Sequence, residues 1–381
     1  MYQLCSGATV LFKISFVVQM LLEILTRMKE HTVLIFGYPL AVQHLGGLVW
    51  IKKVVDYIEK SETFGVKKVS NCRQSTFYRV PFISDLLAVM RGLFSNPTVA
   101  ILDTYGEAAI WMWLLLRLFR RGTKIVTVFH HYEPLLVRLK QCPRLNAKYY
   151  ALVDVITKIM LRNSDKIITV SRSSMRELRT VVKIKPDEKI VVVGCSSTDY
   201  FSIISNQKKD IDFLCIGRLE KFTEIENIWK EIRKKKPASK FVMAGRCSSK
   251  DLMRLRRIGI DHQGIVSEKQ KIDLFRRAKV FLFPSLFEGF GIAVGEALSA
   301  KMIVITWKIP AFEERFPCQP IANLRLIKVG NEELFVENAL KAINDYDKLD
   351  YSQASTEDFG ITKTWEEVGK HVVDALETSL I

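Results

Sequence analysis

The sequence predicts an α/β protein built from two domains with parallel sheets. Three observations carry this. Short apolar runs alternate with longer helical patterns, as parallel α/β sheets require. The rhythm is interrupted near residues 202–210 and then starts again. The 381 residues exceed what one small core needs and suit two domains of ordinary size.

In chain order, residues 32–36 read as a first buried strand. The turn His44-Leu45-Gly46-Gly47 then enters a helix through Lys60. Strands over 98–103 and 124–129 flank a helix over 107–121. A helix over 148–161 leads to a strand over 166–170, where Ser171 is placed to cap the next helix. A strand over 189–193 closes the first half. The second half opens with a strand over 212–216 ending in Gly217-Arg218, followed by a basic helix over 225–235. Strands are expected over 240–244, 280–283 and 303–306, and helices over 270–278, 291–300 and 333–345. A last helix runs from Trp365 to about Leu380. The expected boundaries are 28–205 for the first domain and 206–355 for the second, with a terminal segment over 360–381. Met28 stands directly before the first strand, so residues 1–27 read as a non-native or loosely attached extension.

Apolar residues at 48% and charged residues at 26% indicate a globular chain rather than a disordered one. Seven scattered cysteines with no CxxC spacing suit a reducing, cytoplasmic compartment and offer neither a disulfide framework nor a zinc site. The apolar stretch 8–26 is broken by Lys13, Ser15, Gln19 and Glu23, which argues against a membrane span. The net charge of +16 is uneven: residues 1–205 hold 28 Lys/Arg against 15 Asp/Glu, and the rest hold 29 against 26. Such a first half attracts phosphates, acidic acceptors or an anionic membrane surface. The basic residues are spread and no recognition module is present, so nucleic acid is not an expected partner.

The segment Phe283-Pro-Ser-Leu-Phe-Glu-Gly-Phe-Gly-Ile-Ala-Val-Gly-Glu-Ala-Leu298 carries most chemical information. Glu288 follows a strand, and Glu296 lies in the next helix with seven residues between them. Gly289 and Gly291 allow a sharp turn and close approach to a ligand. Amides near Phe290, Gly291 and Ile292 begin the helix and suit a phosphate. A carboxylate beside such a site suits sugar hydroxyls.

This segment resembles the Glu-x7-Glu motif of the retaining glycosyltransferases of family four, also called group 1. The resemblance extends through most of the chain from Met28 and implies a GT-B fold, two Rossmann-like domains with parallel sheets facing each other across a cleft, with a C-terminal helix crossing back to the first domain. It implies that Glu296 holds the nucleotide ribose and Glu288 the transferred sugar. Gly217-Arg218-Leu219 resembles the family's phosphate-binding turn, with Arg218 clamping the pyrophosphate. The segment from Gly264 to Ser267 resembles the loop against the nucleotide base, which puts Val266 at the donor. Gly46 and Gly47 resemble the glycine loop near the reaction centre, and His130 the strand-end histidine near the donor sugar. Where the family usually has Lys-Gly, this chain has Thr223-Glu224, with Lys221 nearby as the remaining cation. The family's glycine after the motif helix is Lys301 here.

The implied activity is hexosyl transfer from a nucleotide sugar to a glycan or lipid-linked hydroxyl, with retention and without metal or other cofactor. Two alternatives stay open on the sequence: a catalytically weakened nucleotide-sugar-binding subunit, and a GT-B nucleotide-sugar epimerase. On the helix over 107–121, Trp113, Arg117, Arg120 and Arg121 share a face, with Trp111, Leu115 and Leu118 on another. Aromatic and basic groups together suit peripheral contact with an anionic membrane.

Overall fold

A computed structural model describes residues 31–37, 46–61, 63–70, 89–90, 92–104, 107–132, 147–185, 189–197, 209–222, 224–317, 321, 323–348 and 362–381. The extension 1–27, the domain seam near 202–208 and the His44-Leu45 part of the glycine turn lie outside these residues. The first domain runs β1 (His31–Gly37), α1 (Gly46–Lys60), β2 (Phe64–Ser70), β3 (Val99–Asp103), α2 (Glu107–Phe119), β4 (Lys124–Phe129) and α3 (Ala147–Arg162). It continues through β5 (Lys166–Thr169), α4 (Arg172–Glu177) with a π-helical turn over Leu178–Val182, and β6 (Ile190–Val192). The second runs β7 (Ile211–Ile216), a 3-10 turn (Leu219–Lys221), α5 (Ile225–Lys235), β8 (Phe241–Ala244), α6 (Ser249–Arg257), β9 (Ile260–His262) and α7 (Glu268–Arg277). Then come β10 (Ala278–Phe283), α8 (Ile292–Ser299), β11 (Ile303–Trp307), α9 (Pro310–Arg315), β12 (Leu324–Ile327), α10 (Glu332–Asp345) and α11 (Trp365–Leu380).

Each half forms a six-stranded sheet, ordered β2-β1-β3-β4-β5-β6 and β12-β11-β10-β7-β8-β9, and the strand pairs are parallel. Helices cover both faces of such sheets, so inner strands are apolar throughout rather than alternating. β3 and β11 are buried at every residue. In the second sheet, Phe281 sits opposite Leu214 and Phe283 opposite Thr306, so β7, β10 and β11 end together. The chain reverses its winding between β7 and β10, the crevice where ligands bind in open α/β sheets.

The second domain has one large core around Phe213, Trp229, Phe281, Trp307 and Phe312. The first domain is packed on both sheet faces, and one face contains residues from the far end of the chain. Val368, Val372 and Leu376 of α11 pack there with Trp50, Val54 and Ile58 of α1. The crossing helix starts at a capping box: Thr364 Oγ1 accepts from the Glu367 amide at 3.1 Å, and Glu367 Oε2 accepts from the Thr364 amide at 2.7 Å.

The elements α6, β9, α9 and β12 add to the sequence reading, and three further features differ from it or extend it. The strand β2 carries exposed Lys67 and Lys68, an edge pattern that blunts pairing and hides a strand from an apolar-run search. Trp113 is buried at 8% exposure, and Arg117 is engaged by Asp165 at 2.8 Å. These two residues therefore do not form an exposed aromatic–basic face. Lys301 has φ 60° just past α8 and its amide donates to the Leu298 carbonyl at 2.9 Å. It occupies the left-handed position that usually falls to glycine after a helix.

Candidate functional site

The crevice at the ends of β7 and β10 is built from two turns. After β7, Gly217 and Arg218 lead into the 3-10 turn, which carries Lys221. After β10, residues 284–291 form a loop that opens α8. Gly291 caps that helix at φ 75°, and a Cβ there would lie 2.3 Å from Phe312 Cε1, so only glycine fits the turn. Ile292 and Ala293 head the helix at its positive end.

Both motif carboxylates are held by lysines. Glu288 Oε1 accepts from Lys221 Nζ at 2.9 Å and from Ser285 Oγ at 2.9 Å. Lys221 also lies 5.4 Å from the centre of the Phe287 ring. The cation two residues before Thr223 therefore points into the crevice. Glu296 is buried at 4% exposure, and both its oxygens accept from Lys271 Nζ, at 3.0 and 3.3 Å.

The first domain closes over this crevice from β4. His130 and His131 follow the strand and are both buried. His130 Nε2 lies 3.6 Å from Asp103 Oδ2, its ring meets Trp50 edge-on at 5.6 Å, and its carbonyl accepts from Ser174 Oγ. His131 lies 5.7 Å from Phe287, ring to ring. Burial first, then the charges of Lys221, His130 and Arg218, hold His131 well below the usual histidine range. His131 is thus neutral at physiological pH and faces the cations of the second domain.

Arg315, on α9, ties these parts together. Its Nη1 donates to the Gly291 carbonyl at 2.6 Å and the Phe290 carbonyl at 3.3 Å. Its Nη2 donates to Ser197 Oγ of the first domain at 2.7 Å. The guanidinium stacks 4.2 Å over the Phe290 ring, where a planar cation suits both carbonyls and ring. Burial pulls Arg315 down to about 10, against the opposing influence of Cys195 and Glu296, so it stays charged at neutral pH. The preceding Glu314 accepts from the Arg172 and Ser173 amides at the start of α4, at 2.8 and 2.5 Å.

Of the residues expected from sequence, Gly217, Arg218, Lys221, Glu288, Phe290 and Gly291 lie in or beside these two turns and Ile292 and Glu296 in α8, with Phe290 and Ile292 packed against the first domain's core. His130 stands across from them, with its carbonyl against Gly289. Val266 is half-buried against the second core, between β9 and α7. Gly46 and Gly47 begin α1; one turn on, Trp50 Nε1 donates to the Gly194 carbonyl at 3.1 Å. Thr223 lies outside the described residues. Lys271 and Arg315 escaped the sequence reading. They meet their partners across 25 residues for Glu296 and 118 for Ser197, and no local pattern marks them. Among the described residues no group of three or more His, Cys, Asp or Glu side chains could hold a metal ion.

Comparison with known proteins adds the family. The Glycosyltransferase Family 4 model matches residues 27–196, and the model "Glycosyl transferases group 1" matches residues 196–357. Curated proteins give no sequence match. Among solved structures, sucrose-phosphate synthase from Thermosynechococcus elongatus superposes with a TM-score of 0.67 at 12% identity, covering 92% of this chain and 99% of that one. HepE from Anabaena, in complex with UDP and glucose, gives 0.65 at 11% identity, covering 92% and 100%. The lipopolysaccharide outer core galactosyltransferase WaaB gives 0.57 at 17%, covering 91% and 99%. At these identities the likeness shows the fold. Matched over 27–357 by two adjoining models and folded as two facing Rossmann-like units, the chain belongs to the group 1, family 4 glycosyltransferases of the GT-B fold.

Proposed function

We propose that this glycosyltransferase moves a hexosyl group from a nucleotide sugar to a hydroxyl of a glycan or lipid-linked acceptor, with retained configuration and no metal. The carrying observation is the pair of lysine-held carboxylates, Glu288 and Glu296, at the winding reversal of the second sheet. Glu296 meets the ribose and Glu288 the sugar. Arg218, Lys221 and the head of α8 face the diphosphate, where preorganised positive charge favours departure of the leaving group. The bond from the sugar's anomeric carbon to phosphate oxygen breaks, and its electron pair leaves with the nucleoside diphosphate. The acceptor oxygen bonds to that carbon on the same face and passes its proton to the departing phosphate. The nucleotide is held by the second domain and the acceptor by the first. HepE, whose structure contains UDP and glucose, supports this class of donor.

The acceptor side has an exposed apolar surface suited to a membrane interface, which fits a lipid-linked acceptor reached from the cytoplasmic face. On α2, Trp111 is 52% exposed and Phe119 66%; Leu118 is also exposed, as are Leu152, Val155 and Ile159 on α3. The helices α2 and α3 pack side by side, with Arg120 and Arg121 directly after α2. Among the described residues no helix is long and apolar enough to cross a membrane.

The test offers UDP-, GDP- and ADP-sugars with and without membrane extract to the parent, Glu288→Ala and Glu296→Ala. Glu296→Ala should weaken nucleotide affinity about 10–150-fold, the effect of losing one charged hydrogen-bonding partner. Glu288→Ala should lower turnover more than it raises KM. Parent-like binding and transfer by both variants would overturn the assignment.

A further inference from the structure

The group facing Glu296 is unusual for an interior position. Lys271 reaches from α7, with a side chain only 15% exposed, to a carboxylate only 5% exposed. It also lies 3.0 Å from Glu268 Oε1. Desolvating two such charges costs about as much as their attraction returns, and an apolar pair of similar volume serves stability equally well. A buried ion pair at a ligand crevice therefore asks for a reason beyond stability. The start of α7 is itself fixed: Ser267 and Gln270 form a capping box, so the lysine's stem begins from a defined place.

We propose that Lys271 is a positioning residue that sets Glu296 as an ionised, two-oxygen acceptor for the vicinal hydroxyls of the nucleotide ribose, and thereby makes the enzyme select ribonucleotides over deoxyribonucleotides. The inference rests on the ribose role proposed for Glu296. A carboxylate offers about four lone-pair positions, more than one ammonium takes up. Contact of Lys271 with both oxygens fixes the plane in which hydroxyls are received. Arg315 from α9 and the Cys195 thiol from the loop after β6 also face Glu296, while Glu268 faces the lysine from its own helix. Burial opposes the lysine's charge, but Glu296 and Glu268 outweigh it and raise Lys271 above its ordinary range. Lys271 therefore stays charged through neutral pH.

The experiment measures calorimetric affinity for UDP, GDP and ADP and their 2′-deoxy counterparts from pH 5.5 to 8.5. The parent, Lys271→Met, Lys271→Gln, Lys271→Arg and Glu296→Gln are compared. The parent should prefer one ribonucleotide over its deoxy form by about tenfold or more, the size of one hydrogen bond to a charged group, with little pH dependence. Lys271→Met should lose most of that preference, and its ribonucleotide affinity should fall as pH falls, because the carboxylate loses the ammonium that touches both its oxygens. Lys271→Arg should restore the preference. Should the Met variant fail to fold, Lys271→Gln reports the same loss. A purely structural lysine would lower the thermal midpoint and leave the ribo/deoxy ratio unchanged, which would overturn the proposal. If Glu296→Gln loses the preference and Lys271→Met keeps it, the lysine's role fails while the ribose reading stands. A parent that binds none of the three nucleotides overturns the ribose reading itself.

Discussion

Replacing Gly289 by alanine tests whether the domain approach described here is the reacting arrangement. Gly289 is not in the left-handed region, so alanine suits its backbone and any penalty comes from contact. A Cβ there would lie 2.5 Å from the His130 carbonyl oxygen, 3.1 Å from its carbon and 3.2 Å from Val170 Cγ2. Ordinary carbon–oxygen contacts begin near about 3.3 Å, so the two backbones must separate by roughly 0.8 Å. The clashing atoms belong to different domains, and neither core need be rearranged to relieve them. Overpacking of this kind costs about 1–3 kcal/mol. Borne by the closed arrangement alone, that lowers the closed-to-open equilibrium constant roughly 5–150-fold. Turnover at saturating donor should fall by up to that factor, while UDP, GDP or ADP affinity changes little and the thermal midpoint moves by no more than about 2 °C. Parent-like turnover in Gly289→Ala would refute the reasoning, since the close approach would then play no part in transfer.

Two further outcomes follow from other parts of the molecule. Burial, with the Lys301 charge second, pulls Lys209 down to about 7; its Nζ lies 2.7 Å from the Ala278 carbonyl. Between pH 7 and the ordinary lysine range the unfolded chain holds a proton that the folded chain releases. Stability should therefore rise with pH across that window and flatten below it, and urea midpoints at pH 7 and 9 should converge in Lys209→Met. On the membrane side, binding to anionic vesicles should weaken with added salt and fall when Trp111 and Phe119 are changed to serine. Equal binding to neutral vesicles, or none, would remove the membrane from the acceptor's description.

What the sequence determined by itself was whatever is encoded over a few neighbouring residues. The buried runs at β3, β10 and β11, the basic helix α5, the Ser171 cap and the glycines around Glu288 are local signals, and each element lies within about two residues of its expected bounds. The Glu-x7-Glu spacing survives folding because strand end, turn and helix start are contiguous, which puts Glu288 in the loop after β10 and Glu296 in α8. Tertiary structure alone decided which groups stand opposite them. Sequence groups Trp113 with the arginines of its helix and Trp111 with Leu115 and Leu118, yet Trp113 is buried and Trp111 exposed, because other elements of the first domain cover only one side. His131 follows His130 without distinction, but the second domain's approach brings Lys221 and Arg218 charge to bear on it. Lys271 and Arg315 look like ordinary surface cations until α7, α8 and α9 converge around Glu296 and the carbonyls of Phe290 and Gly291. Periodicity, caps and glycine turns act through bonds a few residues long. Ion pairs and domain contacts act through space between residues far apart in the chain, and only packing brings them within reach.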